Sequence, residues 1–255
     1  MARQPDGPPP PPTVQRLRIR YAKRGRLRFA SHRDLARALE RALRRAQVPM
    51  AFSAGFSPHP KISYMCAAPT GAASEAEYFE IGLSARRDPE QVRAALDASL
   101  PPGIDVLECV EAVDGSGSLA DRLDATRWRI DLPGVDAGEL AAAVQTLLAA
   151  ETVMVTKRTK NGTRDVDARA AVVRAAVAVE AGCAILQVVV RQLTPTVRPD
   201  DVMAALAAVA DLRPPLPPRA VREAQGRLDD SGDVADPLGP DRVTSSHCQG
   251  EPAQV

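Results

Sequence analysis

The chain has 255 residues, with 33 Lys and Arg against 32 Asp and Glu, a hydrophobic fraction of 45% and an aromatic fraction of only 3%. That is the composition of a globular protein of one or two domains with small side chains in its core. With no run of about 18 apolar residues the sequence excludes a transmembrane helix, and the opening MARQPDGPPPPP lacks the apolar centre of a secretory signal, so the chain is expected to be cytoplasmic.

Residues 1–14 are proline-rich and predict a disordered leader. RLRIRYA then alternates basic and apolar residues, and KRG is expected to turn the chain into RLRFA, giving a β-hairpin with an arginine-rich outer face. Ser31 caps a helix over about 32–47. Leu35, Leu39, Ala42, Leu43 and Ala46 share one arc of it, while Arg33, Arg37, Arg41 and Arg44 lie on the opposite arc. A short strand at Met50–Ser53, the loop GFSPHPKIS, a strand KISYMCA and a loop GAASEA lead to a strand EYFEIGLS. DPEQVRAALDASL reads as a helix with an Asp cap and Pro in its first turn, and GIDVLECVEAV as the closing strand.

The second half repeats this alternation. ATRWRIDL, AGELAAAVQTLLAA and ETVMVTKRT give strand, helix and strand, and Asn161-Gly162 suits a hairpin turn. AAVVRAAVAVE has the alanine content of a helix, but its valines and its pairing with CAILQVVVR across Ala181-Gly182 favour two strands. Pro199 opens a last helix, DDVMAALAAVA. From Arg213 the chain is rich in Pro, Asp, Gly and Ser and predicts a disordered tail over 213–255, so His247 and Cys248 carry no functional weight. The expected fold is α+β: a tandem of two ferredoxin-like, βαββαβ-type halves with antiparallel sheets, a basic half over 15–114 and a second over 115–212.

Charge is distributed unevenly. Between Arg16 and Lys61 there are thirteen Lys or Arg against only Asp34 and Glu40. Such a patch attracts phosphate-bearing partners, and acids farther along the chain are screened from it beyond roughly 8–10 Å. Arg28, Arg33, Arg37, Arg41, Arg44, Arg45 and Lys61 are therefore the candidate phosphate- or RNA-binding residues. One acid cannot pair a row of four or five arginines, which favours a polyanion over a merely solvated face. In the loop, Pro58 and Pro60 stiffen the course beside Gly55 and hold His59 and Lys61 in place. Phe56 either plugs a core poor in aromatics or, like Tyr64, stacks on an unpaired base.

His32, His59 and Asp34 are the candidate acid/base groups, provided geometry brings them within hydrogen-bond reach. Otherwise His32 is a helix-start residue and Asp34 a first-turn carboxylate. No HxH, HxxxH or HExxH spacing is present, so no metal is expected. Cys66, Cys109, Cys183 and Cys248 are widely spaced and read as buried structural thiols, Cys66 in the middle of an apolar strand. No cofactor is expected.

The string KRGRLRFASHRDLARALERALRRAQVPMAFSAGFSPHPKIS, followed by PTGAASEAEYFEI, closely resembles the radical SAM-linked domain of unknown function, over about residues 16–210. In that family the domain is fused to a cobalamin-binding-type radical SAM protein or encoded beside it. The resemblance implies a stand-alone form that works with a radical SAM protein in trans, because the chain lacks the CxxxCxxC that holds the cluster. Family members occur near genes for an E/G-type endoribonuclease and for ribosomal proteins, an association that points to RNA. The expected function is an accessory RNA-binding module for tRNA or rRNA modification or processing, more a non-catalytic partner than an enzyme. Two alternatives stay open: an enzyme acting on RNA or a nucleotide through His32, His59 and Asp34, and an adaptor docking a ribonuclease.

Overall fold

Leu17, Ile19 and Tyr21 are at most 4% exposed on one face of β1 (Gln15–Lys23), with Arg16, Arg18 and Arg20 at the alternating positions. The structure is a computed structural model that describes residues 10–159 and 162–242. After β1 the chain does not turn back as a second strand. Gly25–Phe29 forms a 3-10 turn instead, because both edges of β1 are occupied by other strands and leave no place for a hairpin partner.

Helix α1 (His32–Arg45) follows, its first turn closed by Ser31, whose hydroxyl accepts the Asp34 N–H. Leu35, Leu39, Ala42 and Leu43 are buried, as the helical spacing predicts. Met50 and Phe52 make isolated bridges to Leu83 and Pro60 rather than a strand of their own. Next come β2 (Ile62–Tyr64), β3 (Ala73–Leu83), α2 (Pro89–Asp97) and β4 (Ile104–Glu111). Strand β3 begins within the stretch expected as the loop GAASEA. Asp88 caps α2 by accepting the N–H groups of Glu90 and Gln91. These elements run β1-α1-β2-β3-α2-β4, with strands in the order β4-β1-β3-β2. Leu17, Ile19, Leu39, Phe79, Ile81 and Leu96 form the centre of one core under α1 and α2.

The later elements are β5 (Ala125–Leu132), α3 (Ala137–Ala149), β6 (Met154–Thr159), β7 (Gly162–Asp167), α4 (Ala168–Ala171), β8 (Val172–Glu180), β9 (Cys183–Arg191), α5 (Pro199–Ala210), β10 (Arg219–Leu228) and β11 (Val234–Ala235). Strands β8 and β9 are joined by Ala181 and Gly182, both at positive φ, the conformation of a type I′ hairpin turn. Strands β10, β5, β9 and β8 lie side by side in that order, each antiparallel to the next, over a second core built on Leu140, Leu147, Leu186, Val202 and Leu206. Strands β6 and β7 form a separate two-stranded ribbon. The turn expected at Asn161 lies outside the described residues.

The chain divides into two units: residues up to Ala67, Glu77–Asp121 and from Pro237 in one, and Ala68–Ala76 with Arg122–Asp236 in the other. The expectation of a disordered tail from 213 is corrected by β10, which pairs seven residues with β5. Its sequence, RAVREAQGRL, hides the strand because the residues it buries are Arg222, Gln225 and Gly226 rather than an apolar alternation. Main-chain hydrogen bonding to a central neighbour holds it there. The last described element, α6 (Gly239–Arg242), belongs to the first unit, where Asp241 reaches the fully buried Arg18.

Candidate functional site

Helix α1 carries the basic row. Arg33, Arg37, Arg41 and Arg44 are exposed, and among the described residues none of them makes an ion pair. Arg45 donates to the Ser99 carbonyl at 3.3 Å. Neighbours three or four apart along this row repel one another, each pair costing about 0.2–0.5 kcal/mol on an exposed helix. Just before α1, the Arg28 guanidinium lies 4.7 Å over the Phe29 ring, and Phe29 itself is 59% exposed. The Arg28 Nε is buried without a hydrogen-bond partner among the described residues.

His32 opens the helix and sets its ring edge-on to Tyr64, with centroids 5.4 Å apart. The Tyr64 hydroxyl donates to the Ala36 carbonyl of α1, and burial, with Glu40 nearby, pushes this phenol above its ordinary range. The Asp34 carboxylate accepts the Ser31 hydroxyl at 2.7 Å, and that bond, helped by Arg37, holds it below the usual carboxylate range. Asp34 thus completes the helix cap rather than orienting an imidazole.

The loop 53–59 is closed at its neck. The Ser53 N–H donates to the His59 carbonyl at 2.8 Å, and the His59 N–H donates to the Ser53 hydroxyl at 3.0 Å. Gly55 sits at φ +132°, a conformation that needs glycine. Phe56 is 70% exposed at the tip, so it does not plug the core. Pro58 and His59 are exposed and Pro60 is half-buried.

Strand β2 decides how these groups relate. Ile62 and Tyr64 pack into the core beneath α1, so Lys61 and Ser63 face the other side of the sheet. His59 and Lys61 share a cleft on that side with Arg16 and Glu80. His32 and Asp34 stay at the helix end. The geometry therefore does not assemble His32, His59 and Asp34 into one acid/base site.

Two displayed aromatics were not read from the sequence, Phe29 and Phe52, the latter 42% exposed. Their apolar character signals burial; only the fold leaves them outside. Cys66 likewise lies beyond the end of β2 and is exposed, which corrects its placement inside an apolar strand. Cys109 is buried, and that burial pushes its thiol up to about 12. Among the described residues no three His, Cys, Asp or Glu side chains are grouped to hold a metal ion, and no helix is long and apolar enough to cross a membrane. His247 and Cys248 lie outside the described residues.

A family model described as an uncharacterized protein conserved in bacteria, DUF2344, matches residues 16–199. No curated protein matches the chain. Among solved structures, an unknown protein from Galdieria sulphuraria is similar at 15% identity, over 82% of this chain and 97% of that one, with a TM-score of 0.22.

Proposed function

The chain belongs to the DUF2344 family of uncharacterized bacterial proteins, and from that premise and the geometry of its basic unit we propose an accessory RNA-binding module that works with a separate radical SAM enzyme. The observation that carries this reading is the row Arg33, Arg37, Arg41 and Arg44, exposed along one helix face with no ion pair among the described residues. A face that repels itself gains most from a partner bearing regularly spaced negative charge, and a phosphate backbone is such a partner. Phe29, displayed at the approach to this helix, offers a ring on which an unpaired base stacks. The radical SAM partner rests on the resemblance of residues 23–63, and the RNA would be a tRNA or rRNA that the partner modifies.

We read each unit as a ferredoxin-like repeat. Support comes from the strand order β4-β1-β3-β2 in the first and β10-β5-β9-β8 in the second, which is the same order when each unit is counted from its own first sheet strand, with the β6–β7 ribbon and α4 as an insertion.

The test is binding of a labelled single-stranded oligoribonucleotide at a series of salt concentrations. Affinity should fall steeply with salt, and replacing Arg37, Arg41 and Arg44 by Ala together should lower the log–log slope by about 2, at about 0.7 for each phosphate no longer neutralised. Binding that ignores salt, or a slope untouched by the triple change, would sink the reading. Purification of the tagged protein from its own cells should bring down RNA together with a radical SAM enzyme.

A further inference from the structure

On the sheet face opposite the helices of the first unit lies a cleft of ≈ 390 Å³, within the range of about 300–1,000 Å³ usual for small-molecule sites. Its polar groups come from Arg16, Ser53, His59, Lys61, Ser63 and Glu80, with Thr13 closing one side. Gly82 forms part of the floor, and a Cβ there would stand 3.0 Å from the Thr13 side chain and 3.3 Å from that of Lys61, so glycine lets both lie close.

The hydrogen-bond directions in this cleft are one-sided. The Lys61 ammonium donates to the Thr13 hydroxyl at 2.9 Å, and the His59 N–H donates to the Ser53 hydroxyl at 3.0 Å. Both hydroxyls act as acceptors, which leaves each O–H proton free to donate into the cleft. Lys61 retains two more N–H donors, and among the described residues it has no carboxylate partner. The His59 ring and the Ser63 hydroxyl make no hydrogen bond among the described residues.

The one carboxylate present is already engaged. Glu80 accepts from the Arg18 Nε at 3.0 Å and faces Arg16 at 3.8 Å, while Asp241 takes the other side of Arg18 at 2.8 Å. Two carboxylates thus balance Arg16 and Arg18, and the charge of Lys61 is left over. A lining with an ammonium that meets no carboxylate, a guanidinium and three hydroxyls able to donate suits a small anion with several oxygens.

We propose that this cleft binds a phosphomonoester, with Lys61, Arg16 and His59 around the phosphate and the Ser53 and Thr13 hydroxyls donating to its oxygens. A carboxylate, with two oxygens, would leave most of these donors unused. The cleft exceeds a phosphate group in size, so the phosphate arrives on a larger body, either a mononucleotide or the phosphorylated end of an RNA chain. Because the cleft and the arginine face of α1 lie on opposite sides of one sheet, this site stands or falls separately from the RNA reading.

Calorimetric titration of the full chain with inorganic phosphate, with adenosine 5′-monophosphate, and with one short RNA carrying or lacking a 5′-phosphate tests the assignment. Saturable binding that depends on the phosphate is expected, weakened about tenfold or more in Lys61→Met and also in Arg16→Met, both surface changes whose unfolding midpoints are checked against the parent. Mononucleotide binding identifies a free ligand as the source. Binding confined to the 5′-phosphorylated RNA identifies a chain end. Absence of phosphate-dependent binding to every probe, or equal affinity in the parent and both variants, overturns the site.

Discussion

Phe56 and Phe79 are the same residue type in opposite circumstances. Phe79 is fully buried on β3, its ring 5.6 Å from Tyr21 and 6.1 Å from Tyr64. Phe56 is 70% exposed on a loop whose neck is held by Ser53 and His59. Phe79→Ala should therefore cost about 3–5 kcal/mol in denaturant unfolding, as truncation of a packed aromatic does. Phe56→Ala should stay within about 0.5 kcal/mol, as for an exposed site without a structural role. A large loss at Phe56 would mean that the ring is buried after all and would return it to the core.

At the scale of elements, the connection that sequence patterning conceals is the one between β1 and α6. Arg18 is fully buried, and its guanidinium donates to both Asp241 oxygens at 2.8 Å, to the Ser116 hydroxyl at 3.0 Å and to the Gly117 carbonyl at 2.5 Å. Asp241 also accepts the Val113 N–H at 3.1 Å, so one carboxylate ties α6 and the loop after β4 to β1. Removing one member of such a pair leaves a buried charge without its full compensation. Asp241→Ala should destabilise by about 3–5 kcal/mol in urea unfolding, whereas replacing Arg18 and Asp241 together by Met and Leu should cost less than Asp241→Ala alone, with a residual loss because Glu80 no longer meets the Arg18 Nε. Equal losses in the single and double variants would show that packing, rather than charge compensation, holds α6.

For the whole chain, the region after Leu212 separates composition from structure. Strand β10 supplies a full neighbour to β5, and a Cβ on its Gly226 would come within 1.8 Å of the Ala235 carbonyl oxygen, so β11 folds directly onto glycine. A chain ending at Leu212 would lose β10 from the second unit and Asp241 from the first. It should lose the cooperative thermal transition, followed by near-UV circular dichroism, and become sensitive to limited proteolysis. Retention of the parent transition would show that residues 213–242 are dispensable.

Sequence by itself determined the local elements wherever periodicity and caps coincide. The apolar arc and Ser31 of α1, the Asp88-Pro89 start of α2 and the Ala181-Gly182 turn were legible because the physical signal lies within a few neighbouring residues. The basic character of residues 16–61 was legible too, since charge is counted without knowing the fold. Tertiary structure alone decided which arginines are displayed: Arg18 and Arg37 look alike in sequence, yet one is sealed between two carboxylates and the other is open to solvent. It also decided that His32 and His59 fall on opposite sides of a sheet. Their separation follows from the alternation of β2 and the packing of α1 over Ile62 and Tyr64, contacts between segments distant in the chain that no local pattern encodes.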